Sequence, residues 1–113
     1  MANVEIVNSL AKEIQKKFKQ ESHEIVKLLR SLEENPKKGK LLCNVAGMVV
    51  KELKYKSFRF YFIADGYKLK CFDEEELKNL LIRFVRMSDK KSQQKTINEI
   101  REVLLKIGAG GFG

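Results

Sequence analysis

The sequence predicts an α+β domain: a helical hairpin, an antiparallel sheet and a C-terminal helix. Three observations carry that reading. Apolar residues recur at helical spacing near both ends of the chain, with Leu10, Ile14 and Phe18 at one end and Ile97, Ile100, Val103, Leu104 and Ile107 at the other. The middle alternates with a period of two, where Phe58, Phe60 and Phe62 interleave with Arg59, Tyr61 and Ile63. The length is 113 residues with 43% apolar side chains, enough for one core and too short for two.

Val4–Val7 is a β-branched run that predicts a first strand, after which Asn8 or Ser9 is placed to cap a helix. Ser22 is read as the cap of a second helix carrying Ile25, Val26, Leu28, Leu29 and Leu32. Asn35-Pro36 ends the helical part, because proline disfavours helix at the residue before it. A basic linker, Lys37 to Lys40, follows. Met48–Tyr55 reads as a strand with imperfect alternation, since Lys51 shares a face with Val49 and Leu53. After Phe58–Ile63, Asp65-Gly66 is a hairpin signal, and Tyr67, Leu69 and Cys71 are read as the return strand. The acidic run Asp73–Glu76 reads as a helix start capped by Asp73 rather than a metal site. Leu80–Val85 predicts another strand, and the last helix stops at Gly108. Residues 1–107 are thus expected to form one domain, and the glycine-rich 108–113 a mobile tail. Consecutive strands with short turns give an antiparallel sheet covered by helices on one face.

The charge is concentrated. The net charge is +8, yet residues 1–35 are neutral and residues 73–113 carry one excess cation. Residues 36–72 hold nine lysines and arginines against Glu52 and Asp65. A basic block between near-neutral flanks is an electrostatic footprint for a polyanion, above all nucleic acid. No apolar run approaches the ~18–20 residues that span a bilayer. The N-terminus lacks a signal-peptide pattern, so a cytoplasmic chain without membrane attachment is expected. Cys43 and Cys71 are expected to be reduced core thiols. His23, the one histidine, falls on a polar helix surface, which leaves no Ser-His or Cys-His pair. Neither a zinc spacing nor a nucleotide-binding fingerprint is present, so no metal or cofactor is expected.

What remains is a set of cations interleaved with aromatics: Lys51, Lys54, Tyr55, Lys56, Arg59, Tyr61, Arg83 and Arg86. Cations hold phosphates, and tyrosine faces stack on unpaired bases. The same chemistry can cleave RNA without histidine. The substrate supplies the 2′-hydroxyl nucleophile, a lysine crowded by other cations serves as base, and an arginine stabilises charge on the phosphoryl oxygens. From the residues alone, simple binding ranks above catalysis.

The order of elements and the local text resemble the RelE/ParE superfamily of toxin–antitoxin toxins, including its HigB-like branch, over nearly the whole chain. Glu52-Leu53-Lys54 followed by Phe58-Arg59-Phe60-Tyr61-Phe62 is similar to the family's paired strands. Leu81–Lys91 leading into Ile97 and Ile100 is similar to its last strand, polar loop and helix. The resemblance implies a sheet curved around the helical hairpin and a ribosome-dependent endoribonuclease that cuts mRNA by 2′-hydroxyl attack. It also implies a small acidic antitoxin as partner. It assigns Arg59 and Arg86 to transition-state charge and Lys54 to phosphate positioning or proton transfer, and Lys51 of the cationic set is read in the same role as Lys54. Tyr61 is read as a stacking residue, with Lys56, Tyr55, Arg83, Lys90 and Lys91 as further RNA contacts. Val50 and Glu52 stand where the best-known nucleases carry lysines, and the family's C-terminal tyrosine and the HigB histidines have no counterpart. These departures keep a second class open: a ParE-like or degenerate non-nuclease member that acts by binding gyrase or nucleic acid. A third reading makes the basic face the dock for the acidic antitoxin.

Overall fold

The computed structural model describes residues 2–73 and 75–113; Met1 and Glu74, a member of the acidic run, lie outside the described residues. In chain order the elements are β1 (Asn3–Ile6), α1 (Asn8–Phe18), α2 (Ser22–Arg30), β2 (Lys40–Val45), β3 (Met48–Tyr55), β4 (Phe58–Asp65), α3 (Gly66–Cys71), β5 (Leu81–Asp89) and α4 (Gln93–Lys106). One five-stranded sheet has the order β1-β5-β4-β3-β2. The class is α+β, but the sheet is mixed. β2, β3, β4 and β5 pair antiparallel in sequence, while β1 joins β5 parallel.

The helical hairpin covers one face. Alternation sends Phe58, Phe60, Phe62 and, across the bulge at Tyr61/Phe62, Phe84 to that side. Phe18 of α1 meets Phe58 edge-on at 5.0 Å, and Phe62 lies 4.9 Å from Phe84. Phe60, Phe62 and Phe84 are fully buried, each contributing about 2–3 kcal/mol by leaving water.

The opposite face was expected to stand open and is instead crossed by α4. Ile97, Ile100 and Leu104 of α4 are buried, and Gln93 and Glu99 reach residues of β3 and β5. The cause is in the strands: Val45, Val50 and Ile63 alternate with the phenylalanines and need an apolar cover of their own.

Other local readings are corrected. The segment read as a return strand is helix α3, because the Asp65 carboxylate accepts from the Lys68 N–H and caps a turn instead of closing a hairpin. Lys40–Val45, read partly as linker, is β2; its turn to β3 places Ala46 and Gly47 at positive φ. α1 and α2 begin without side-chain caps from Asn8, Ser9 or Ser22. The Asp73 carboxylate does accept from the Glu76 N–H. Cys43 is half-buried and Cys71 exposed, so neither is a core thiol. The glycine-rich tail lies against the body, with Phe112 buried and the Ser9 N–H donating to the Gly113 carbonyl. No helix among the described residues is long and apolar enough to cross a membrane.

Candidate functional site: a basic cleft at the β3–β4 end of the sheet

On the α4 face, Lys54 pairs with Arg59 across β3 and β4, and Glu52 pairs with Tyr61. Residues two apart on a strand share a face, so Glu52, Lys54 and Arg59 point to the same side. Lys40 stands opposite Glu52 on β2 and extends the row. Together with Lys38 and with Gln93 at the start of α4, these side chains line a cleft of about 410 Å³.

The cleft has a buried floor and a solvated rim. At the floor, Arg59 Nε lies 3.6 Å from Glu52 Oε2, with the two side chains 9% and 3% exposed. That Nε has no hydrogen-bond partner, while Nη1 donates to the Ser57 carbonyl at 3.4 Å. Gln93 Nε2 donates to Glu52 Oε1 at 3.1 Å, tying α4 to the pair. Lys38, Lys40 and Lys54 are exposed at the rim. Three exposed lysines at the rim thus surround a floor where the Arg59 guanidinium is turned toward the Glu52 carboxylate.

Of the residues singled out from sequence, Lys54 and Arg59 meet here. Lys51 does not. It pairs with Phe62, so it faces the helical hairpin, where Nζ donates to the Lys37 carbonyl at 2.9 Å. Burial lowers its pKa. Tyr61 is fully buried beneath α4 with its hydroxyl 2.7 Å from Ser88 Oγ; burial raises its pKa, and no ring face is open for a base to stack on.

Arg86 follows Tyr61 across the ladder and is held on three sides. Nε donates to Glu99 Oε1 at 2.7 Å, Nη1 donates to the Val85 carbonyl at 2.8 Å, and the guanidinium lies 5.0 Å from the centre of the Phe112 ring. Arg83 is likewise engaged, with Nη2 3.2 Å from Glu5 and Nη1 donating to the Ala109 carbonyl at 2.8 Å. Tyr55 and Lys56 both bond Glu21 at the α1–α2 junction. The Lys56 bond, then the Tyr55 bond, lowers the Glu21 pKa, while the bond to Glu21 raises those of Tyr55 and Lys56. Lys90 and Lys91 are exposed in the β5–α4 turn and carry no ion pair among the described residues.

Sequence reasoning missed Glu52 and Gln93 as site residues and counted Lys38 and Lys40 only as linker charge. The available signal was the strand offset: once Lys54 and Arg59 are opposed, Glu52 must lie on their face. Gln93 is 41 residues from Glu52, and no local pattern connects them. No protein-family model matches the chain, and comparisons with curated proteins and with solved structures give no match.

Proposed function

We propose that the chain is a RelE-like toxin that binds single-stranded RNA through the cleft bounded by Lys38, Lys40, Lys54 and Arg59. The observation that carries the reading is the lysine-rimmed opening of about 410 Å³ with Arg59 at its floor. Lysines supply the sequence-independent attraction to the backbone, and the guanidinium supplies a directional contact once it exchanges Glu52 for one phosphate. Lys90 and Lys91, exposed in the turn between β5 and α4, are taken as further RNA contacts outside the cleft lining.

In the nuclease form of this reading, Lys54 holds the scissile phosphate as an ammonium, and a solvent water accepts the proton of the ribose 2′-hydroxyl. The 2′-oxygen bonds to phosphorus, the bond to the 5′-oxygen breaks, and that oxygen takes up a proton. A 2′,3′-cyclic phosphate and a 5′-hydroxyl result. Arg59 stabilises the charge on the non-bridging oxygens. A second reading, binding without cleavage, is favoured by one feature: Arg59 and Arg86 are each committed to a carboxylate, Glu52 and Glu99. The expected acidic antitoxin belongs to either form.

Fluorescence anisotropy with a single-stranded RNA oligonucleotide tests the binding. Lys54→Ala and Lys40→Ala are expected to weaken it several-fold and to reduce the slope of log K against log salt by about 0.7 each. Unchanged affinity and slope in both variants would remove the cleft from the proposal. Incubation of the wild type with translating ribosomes then separates the forms, since only the nuclease leaves cyclic phosphate ends.

A further inference from the structure

The other face of the sheet carries a second opening of different chemistry. On the face that carries Lys51, a groove of about 330 Å³ lies between strands β2 and β3 and helix α3. Leu41, Val49 and Leu69 wall it, and Asn44 and Lys70 stand exposed at its rim. Lys51 also lines the groove, although only 6% of that residue is exposed. Its Nζ donates to the Lys37 carbonyl at 2.9 Å and lies 5.9 Å from the centre of the Phe62 ring. A carbonyl and a ring face offer partial negative charge only. No carboxylate lines the groove, none occurs between Pro36 and Lys51, and Lys51 forms no ion pair among the described residues. A buried ammonium without a counter-ion is costly. This one borders an opening of the size that small molecules occupy.

We propose that this groove is a receptor for a small organic carboxylate with an apolar body, such as an aryl or branched-chain alkanoate. The carboxylate pairs with Lys51 and gives the ammonium the anion that the fold itself lacks there. The apolar body leaves water against Leu41, Val49 and Leu69, and Lys70 adds attraction at the mouth. Burial selects this class of ligand. Only the end of a slender molecule reaches an amine so nearly enclosed. A terminal carboxylate carries its charge at that end, whereas a nucleic-acid phosphodiester carries it between two bulky sugars. A bare inorganic anion covers none of the apolar wall. The groove and the RNA cleft lie on opposite faces of the sheet, so each stands or falls without the other.

Calorimetric titration of the intact chain with hydrocinnamate tests the assignment. Saturable binding at a single site is expected, with a dissociation constant below about 1 mM for a ligand of this size. Hydrocinnamamide, the neutral isostere, and acetate, which lacks the apolar body, should each bind about tenfold more weakly or worse. Lys51→Met should abolish binding of the acid. Leu41 stands opposite Lys51 across β2 and β3, so Leu41→Glu supplies an internal carboxylate and should abolish binding as well. Leu41 is 53% exposed, so its variant keeps the test sound even if Lys51→Met folds poorly. No binding of the acid, equal binding of the amide or of acetate, undiminished affinity in either variant, or displacement of the acid by single-stranded RNA would overturn the proposal.

Discussion

Glu52 and Arg59 form a buried pair whose worth lies in its completeness. Removing one member of such a pair strands the other charge in a low-dielectric site, a loss of about 3 kcal/mol or more. Glu52→Gln is therefore expected to lower stability by roughly that amount in urea unfolding. A change below about 0.5 kcal/mol would mean the pair is solvated after all. Lys51 behaves in the opposite way. Burial pulls its pKa below the ordinary 10.5, so folding disfavours the ammonium at every pH below the shifted value. That penalty fades as pH rises toward 10.5, because the unfolded chain then also loses the proton. Lys51→Met should consequently stabilise the fold near neutrality, and the gain should shrink on titration to alkaline pH; a gain independent of pH would show that the charge is not the cause. The sequence put Lys54 and Arg59 in one cationic set, and the strand register sets them opposite each other. It grouped Lys51 with them because charge counting ignores faces.

At the scale of elements, what local pattern dictates was legible and what partners dictate was not. α1, α2 and α4 follow from spacing, and β3, β4 and β5 from alternation and β-branched or aromatic content. α3 was misread because three alternating apolar residues, Tyr67, Leu69 and Cys71, fit either period, and the decision fell to the Asp65 cap. The open sheet face was misread for a related reason: Arg59 and Tyr61 look polar on paper, yet they lie under α4 once Gln93 and Glu99 reach across. The approach to β2 rests on Gly39, which has φ +107°, and a Cβ there would stand 2.8 Å from Cζ of buried Phe62. Gly39→Ala must meet both the backbone and the steric demand, at about 2 kcal/mol. A thermal melt should show the loss, and an unshifted midpoint would mean the linker re-routes freely.

At the scale of the whole fold, segments far apart in the chain are brought side by side. β1 and β5 pair although Glu5 and Arg83 are 78 residues apart, and the Ser9 N–H holds the Gly113 carbonyl beside them. During synthesis the first strand leaves the ribosome long before its neighbour exists. The three strands between can form their meander early, since each meets the next across a short turn. The N-terminal segment must wait, unsatisfied, until β5, Leu81–Asp89, has emerged. Closing that span is an entropic toll on the rate rather than on the final stability. Completion of the sheet is thus a late event in the birth of the molecule, and until β5 arrives the free edge of β4 is a place where the nascent chain is open to the wrong neighbour.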